Sequence, residues 1–333
     1  MDLRRKIGLT TVAGLLVATA LPALSGAAPA SGKGMIAFSA RVRGVSQVFT
    51  VKPDGTHLRQ ITFGRSQAGQ YGLAWAPDGR GLLFTVTDAK GIDRILKSAA
   101  DGSGVTTISA PCTGACLGDD DPAYSPDGKK IAFERAFGPV VNDNASGGVT
   151  IYTMNADGSH LTQLIRAGAS RSGAEDHSPQ WSPDGTKIAF VRSNTTARPN
   201  NKSAIEVMNA DGSNVRRLTP WKIEATDPHW SPNGKKILFN TWAEAYPGES
   251  ANLYTMHADG THLVALTHYA GGTLQALAAG WSPDGTQIVF RRMKYSGTDT
   301  EVGGYFVLDL RTGHVRRLTP VRLRYDGAAA WGG

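Results

Sequence analysis

The sequence predicts an all-β chain, a six-bladed β-propeller of four-stranded blades. Three observations lead there: a five-residue motif returns at a spacing near fifty, each interval holds the same series of short β-rich runs, and the ends of the series supply complementary parts of one blade.

The motif reads WSPDG at 181–185 and 281–285, WAPDG from Trp75, YSPDG from Tyr124 and WSPNG from Trp230. Its aromatic residues are separated by 49 residues from Trp75 to Tyr124, then by 57, 49, 51 and 50 to Trp181, Trp230, Trp281 and Trp331. Such a period belongs to propeller blades and other repeat arrays. After each motif comes a run ending in phenylalanine, at Phe84, Phe133, Phe190, Phe239 and Phe290; a second run follows, as in IYTM at 151–154, then an ADG or PDG turn and a third run such as VRRLT at 215–219. Short runs rich in Val, Ile, Thr and Tyr between Pro, Asp and Gly are strands joined by tight hairpins, and helical periodicity is nowhere sustained. With the aromatic strand, each unit has four strands.

The ends fit this grammar. Gly34 to Phe38 reads as a second strand without its aromatic partner, and Ala330 to Gly333 as an aromatic strand without a continuation. Together they complete one blade, so the C-terminal strand is expected to pair with the N-terminal blade. Closure of that kind removes the free sheet edges that invite aggregation. A single domain over 31–333 follows, with a monomer as the expected state.

Ser, Pro, Asp and Gly in that order suit a type I turn closed by a left-handed glycine. Asp78, Asp127, Asp184 and Asp284 are therefore read as turn residues and not as repeated catalytic acids. Asn233 in the fourth copy agrees, since an amide keeps the turn chemistry and abolishes acid chemistry. His57, His160 and His262 share one slot after the second turn, with His314 close to equivalent, and His257 stands where Asn155 and Asn209 stand elsewhere. These five are spread over separate blades and are not expected to converge on one metal.

Residues 1–30 read as a cleaved signal peptide: Arg4, Arg5 and Lys6 open it, Ile7 to Leu24 is mostly apolar, and Ala28-Pro29-Ala30 offers a small-x-small cleavage site. The arginine pair leaves the twin-arginine route open beside the general one. An extracytoplasmic protein is expected, periplasmic or secreted, with no stable membrane span after removal of the signal. The chain carries a formal charge of +7; Arg4, Arg5 and Lys6 less Asp2 remove +2, which leaves +5. That charge is spread without a basic block, and nucleic acid is not an expected partner of an exported chain. Cys112 and Cys116 are the only cysteines, and an oxidising compartment makes them a disulfide that braces a loop.

The repeats, for instance WSPDGTKIAF at 181–190 followed by IEVMNADGSNVRRLT at 205–219, resemble those of the TolB-type propeller repeat family, from about residue 35 to the end. The resemblance implies a six-bladed propeller and envelope partners. The family's periplasmic namesake carries an α/β domain ahead of its propeller, where this sequence has Ser31 to Gly34, so none of that protein's partner residues is carried over. Related propellers gate prolyl oligopeptidase-like hydrolases, but GxSxG, HExxH and P-loop patterns are absent here, and the sialidase Asp box is not matched. No cofactor is expected.

Both repeated turns fall on one face of the disk, and the connections that vary in length fall on the other. Function commonly sits on variable loops of a rigid scaffold. The candidate binding residues are thus those leading from the channel mouth on that side: Asp121, Asp176, His177, Asp227 and His229, with Trp242, Tyr246 and Tyr295 on outer loops for stacking. Asp121-Pro122 and Asp227-Pro228 can equally be structural repeats at a strand entrance. Asp119, Asp120 and Asp121 have the chemistry for calcium, although neighbouring residues on a strand alternate faces. Two functions remain: a non-enzymatic exported binding module for an envelope protein, peptide or glycan, and a lyase or hydrolase that acts on an acidic polysaccharide through His177, His229 and nearby acids.

Overall fold

In the computed structural model, residues 34–333 are described, apart from 65–67, 89, 110–111, 113, 139, 142–143, 146–147, 166–173, 195–201, 242–249, 295–302, 321–322 and 326. The expected hairpins are present. In the turn at 182–185, Gly185 N–H donates to the Ser182 carbonyl at 2.9 Å, and Gly185 has φ of 70°. The Ser182 hydroxyl donates to Asp184 at 2.6 Å and accepts the Lys187 amide at 2.9 Å. Ser231 repeats this with Asn233 at 2.9 Å, so the amide substitutes for the acid. Asp184 is held below the usual carboxylate range, first by the Ser182 hydroxyl and then by the Thr186 amide.

The hairpins build antiparallel sheets of four strands. One contains Ala174–Trp181, Lys187–Asn194, Lys202–Asn209 and Arg216–Arg217; a second, Ala225–Trp230, Lys236–Thr241, Leu253–His257 and Val264–Ala265; a third, Leu274–Trp281, Gln287–Lys294, Gly304–Asp309 and Val315–Arg317. In the fourth, Ala329–Trp331 pairs with Ile36–Val42, with Ile36 opposite Trp331, and Val45–Val51 and Arg59–Gln60 follow. Val140–Val141 and Asn144–Ala145 pair in a separate two-stranded sheet, and the remaining strands join in one eight-stranded sheet. Within it, Ala68–Trp75, Gly81–Thr87, Asp93–Ala99 and Thr106–Thr107 form one antiparallel run, and Cys116–Tyr124, Lys130–Phe137, Val149–Asn155 and Thr162–Gln163 another. A parallel bridge between Asp93 and Gly118 connects the two runs. The architecture is an all-β propeller of four-stranded blades with almost no helix, one 3-10 turn at Trp221–Ile223 being the exception among the described residues. No described helix is long and apolar enough to cross a membrane.

Alternation along the second strand explains why neighbouring sheets adhere. Ile188 and Phe190 face the preceding sheet and pack with Ala132, Ile151 and Met208, whereas Ala189 faces the next and packs with Ile237 and Phe239. Phe38, Phe84, Phe133, Phe190, Phe239 and Phe290 are all buried at these seams. The motif tryptophans reach across as well, Trp75 Nε1 donating to the Ala330 carbonyl at 3.2 Å and Trp281 Nε1 to that of His229 at 3.0 Å.

A tighter contact repeats at the outer hairpin. Gly102, Gly158, Gly212 and Gly260 have φ of 85 to 92°, and each seats against a carbonyl of the preceding sheet, of Ile61, Ile108, Leu164 and Leu218 respectively. An added Cβ on Gly102 would lie 2.5 Å from the Ile61 oxygen. Gly313 has φ of 71° and nothing within 4 Å. Gly158→Ala combines the left-handed penalty with a backbone clash and is expected to cost about 2–4 kcal/mol, against about 1–2 for Gly313→Ala. Urea unfolding of the two variants measures the difference, and equal losses would show that the seam tolerates a methyl group.

Candidate functional site

Three consecutive inner strands lose register just before their aromatic residue, between Asp120 and Ala123, between His177 and Gln180, and between Thr226 and His229. The bulged residues Asp121, Ser178 and Asp227 have φ of 50, 50 and 52°, and each precedes a proline. A bulge re-aims the side chain it carries, and a left-handed non-glycine residue is uncommon enough to mark a constrained position. All three side chains line a cavity of about 330 Å³ in the channel, to which Leu73, Leu277 and Ala329 of the other inner strands also contribute. At the equivalent positions those strands carry Gly72, Ala278 and Ala328. Gly72 has no room for a side chain, since its Cβ would sit 2.5 Å from Pro122. One side of the channel therefore carries Asp121, Ser178 and Asp227, and the other is small or apolar except for Arg291 and Tyr305, which line the same cavity.

At three repeats the residue after the phenylalanine joins the inner strands to the next run of strands. Thr85 donates its hydroxyl to Asp120 at 2.6 Å, Glu134 accepts the Ser178 amide at 3.0 Å, and Asn240 accepts the Ala278 amide at 2.8 Å. The Ser178 hydroxyl in turn donates to Asp121 at 2.8 Å. His177 lies between two carboxylates, its Nδ1 at 3.5 Å from Glu134 and its Nε2 at 3.6 Å from Glu175.

These side chains are half-buried, His177 keeping 28% of its side chain exposed to the channel, and the protein packed around them governs their protonation. Burial pushes Asp121 up to about 8, with the Glu134 charge adding to it and the Ser178 hydrogen bond opposing it. Burial raises Asp227 to about 6 against hydrogen bonds from Thr226 and Asn240. Asp120 is raised well above the ordinary value by burial and by Asp121. For His177, burial disfavours the charged ring, yet Glu134 and Glu175 outweigh it and bring the group to about 10. Burial alone takes His229 down to about 4, so near neutrality the channel holds a charged His177 and a neutral His229.

Of the residues singled out from the sequence, Asp121, His177 and Asp227 come together and feel one another's charge. His229 lies on the same cavity. Asp176 does not join them: it is buried within its blade and bound by Arg192 through Nε at 2.7 Å and Nη2 at 3.2 Å. Asp119 does the same with Arg135, at 2.6 and 2.8 Å. Asp119, Asp120 and Asp121 thus diverge to Arg135, Thr85 and Ser178, and no group of three or more His, Cys, Asp or Glu among the described residues is placed to hold a metal ion. Asp121-Pro122 and Asp227-Pro228 sit within their strands and not at the entrance. Trp242, Tyr246 and Tyr295 lie outside the described residues. Cys112 and Cys116 are disulfide-bonded.

Sequence reasoning missed Glu134, Glu175 and Ser178. The slot after the repeated phenylalanine carried a signal, because it reads Thr85, Glu134, Val191, Asn240 and Arg291 in an otherwise uniform repeat. Also missed was a second cavity, of about 440 Å³, which shares Leu73, Gln180, His229, Ala279 and Ala329 with the first and is lined by the aromatic and proline residues of the motif. The motif face is therefore the aromatic end of the channel.

Residues 113–246 match the family model described as the TolB beta propeller domain. A TolB homolog of Chlorobium luteolum is 31% identical over 178 residues, 53% of this chain and 35% of that protein. The chain spans about half or less of the length of the curated relatives it matches. Among solved structures, TolB from Acinetobacter baumannii superposes with a TM-score of 0.67 at 18% identity, over 91% of this chain and 68% of that one. An oligogalacturonate lyase in complex with manganese does so with a TM-score of 0.57 at 14% identity, over 86% and 74%. At these identities the solved structures share the fold.

The raised groups set a pH dependence of stability. Between the ordinary carboxylate range and about 8, folded Asp121 holds a proton that the unfolded chain releases, and Asp227 does so up to about 6; stability falls as pH rises through those windows. His177 continues the trend, because its contribution is fully present below the free histidine range and is lost as pH rises to about 10. Asp121→Asn keeps an acceptor for Ser178 and removes the charge. Its melting temperature is expected to depend less on pH between about 4 and 8 than that of the parent chain, and parallel melting curves would show that Asp121 titrates as an ordinary carboxyl.

Proposed function

We propose that the chain is a TolB-type β-propeller and an exported, non-enzymatic module that binds a protein or peptide of the cell envelope in its channel. In this reading residues 1–30 direct export and are removed, and residues 31–333 form one six-bladed ring. The blade count rests on treating the eight-stranded sheet as two blades divided at the Asp93–Gly118 bridge, and on six core clusters, each formed across one seam between runs of four strands.

The observation that carries the binding function is the one-sided channel lining. Asp121, Ser178 and Asp227 are aimed into the cavity by three successive bulges, with Glu134 and His177 behind them, opposite a wall of small residues interrupted by Arg291 and Tyr305. Every group of this lining with a strongly shifted protonation, except His229, is held by protein partners: Asp121 by Ser178, Asp120 by Thr85, Asp227 by Asn240, His177 by Glu134 and Glu175. Side chains held by protein partners in this way support recognition of a ligand. Asp227, ionised above about 6, favours a segment that is basic where it touches that residue, and Asp121, which holds its proton up to about 8, favours a hydrogen-bonding group, while the motif tryptophans and prolines offer an apolar rim to the rest. A glycan fits the same surface only if it is uncharged.

A second reading, a polysaccharide lyase or hydrolase, is favoured by His229, a neutral imidazole shared by both cavities and a candidate general base. An acidic polysaccharide, however, meets Asp227 ionised above about 6 in the cavity, with the Glu134 charge close to it. Pull-down from envelope extract should recover a protein that Asp121→Asn/Asp227→Asn fails to retain, and the chain should release no unsaturated uronate from polygalacturonate. Turnover lost in His229→Ala would reverse the assignment to the lyase.

A further inference from the structure

The run that contains Gly81–Thr87 and Asp93–Ala99 departs from the repeat on one flank. At one register-paired position four other runs carry long or polar side chains, Lys130 opposite Asn155, Lys187 opposite Asn209, Lys236 opposite His257 and Gln287 opposite Asp309. Here the pair is Gly81 opposite Ala99, and the slot of His57, His160, Asn214 and His262 holds Gly104. Where the long side chains are present they tie the flank together: Lys187 Nζ donates to Asn209 at 3.3 Å, and Asn155 Nδ2 lies 2.9 Å from His160 Nδ1. Where they are missing, a cavity of about 860 Å³ opens between Gly81, Ala99 and Gly104 on one side and Pro126 to Gly128 of the following run on the other.

Two further departures bring polar groups to this cavity. Lys97 lies opposite Leu83, which packs across the seam with Ile131 and Phe133. In the same register stand Thr50, Thr153, Val207, Thr255 and Val307, each at most 4% exposed. An ammonium thus occupies a slot in which every other repeat buries a smaller, uncharged side chain. Lys97 is half-buried and has no ion-pair or hydrogen-bond partner among the described residues. Partial burial of an unpaired charge costs hydration that an anion would restore. The second departure is Tyr124, in the place of the motif tryptophans, whose hydroxyl is buried and has no partner among the described residues. Burial, and then the Asp78 charge, push it up to about 12, so it stays a donor. Asp78 lines this cavity and neither of the two cavities in the channel.

We propose that this seam cavity is a binding site for a small organic carboxylate, with the Lys97 ammonium as its ionic anchor and the Tyr124 hydroxyl as a hydrogen-bond donor. Its volume is within the range of small-molecule sites. Arg80 adds a second cation at the rim, and the two acids of the lining serve their own turns: Asp78 accepts the Arg80 amide at 2.9 Å, and Asp127 accepts the Ser125 hydroxyl at 2.7 Å and lies 3.8 Å from Lys129 Nζ. A single carboxylate matches one half-buried ammonium, whereas a dianion such as phosphate is opposed by Asp78 and Asp127. No residue of this lining belongs to the cavity of about 330 Å³ in the channel, so the site does not depend on the function proposed for the channel.

Neighbouring repeats supply the variants that test the site. Lys97→Thr recreates Thr153, and Ala99→Asn/Gly104→Asn recreates Asn209 and Asn214 while keeping Lys97, so both are expected to fold, which melting curves check. Calorimetric titration of the chain should show saturable binding of sodium D-glucuronate or of N-acetyl-L-alanine, and the tighter of the two distinguishes a sugar acid from a peptide carboxyl end. Glucose and N-acetyl-L-alaninamide, which keep the size and lack the charge, should bind at least about 10-fold more weakly, and Lys97→Thr should weaken the carboxylate by a similar factor. Tyr124→Phe should cost about 2- to 10-fold, the refilled flank should abolish binding, and Lys235→Thr, at an exposed lysine of another turn, should leave it unchanged. Saturation by neither carboxylate, equal binding of the neutral analogues, or undiminished binding in Lys97→Thr would overturn the proposal.

Discussion

Antiparallel pairing of Ala329–Trp331 with Ile36–Val42 is the constraint on which the rest of the structure depends. A four-stranded sheet has two faces to cover, and each sheet here covers them with its neighbours, Phe190 facing one and Ala189 the other. An open row would leave a terminal sheet with one apolar face in water. Joining the last strand to the first sheet lets Tyr305 and Val307 of the last sheet pack on Phe38 and Phe49 of the first, so no seam among the described residues is left over. Closure also turns every aromatic strand inward.

That inward turn converts a structural repeat into an asymmetric site. Six strands converge on one channel, and whatever stands three residues before each aromatic meets its counterparts there. Gly72, Ala278 and Ala328 fill this slot without chemistry, while Asp121, Ser178 and Asp227 bring polar groups close enough to shift one another's protonation. The same stretches of strand also tie seams together, Thr85 bonding Asp120, Glu134 the Ser178 amide and Asn240 the Ala278 amide. The channel lining and lateral cohesion share one network, in which Asp120 is bonded by the preceding run of strands through Thr85 and Asp121 by the following sheet through Ser178.

The repeat grammar made the strands, hairpins and closing pair legible, because tight turns obey local rules: Asp184 and Asn233 do the same work in their turns, as their residue types require. The site was legible in part. Asp121, His177, Asp227 and His229 stood out as polar residues ahead of the motif, but Asp176 looked equivalent until Arg192 was seen to bind it. Alternation along a strand separates the two sets, and the bulge at Asp121, Ser178 and Asp227 shifts the alternation by a residue in a way composition does not encode. Glu134 and Glu175 act through contacts between blades or across a strand, for which a repeat read one unit at a time holds no sign. The aromatic cavity at the motif face escaped notice for a different reason, since residues that repeat in every blade look purely structural until a ring brings them around one opening.

The central claim is that ligand recognition belongs to the polar half of the channel. Hydrogen–deuterium exchange of the chain, free and bound to the partner recovered from envelope extract, tests it most directly. Protection should concentrate on the inner strands Cys116–Tyr124, Ala174–Trp181 and Ala225–Trp230 and spare the outer strands Thr162–Gln163 and Arg216–Arg217. Protection confined to the outer strands, or spread evenly over all six inner ones, would contradict the account.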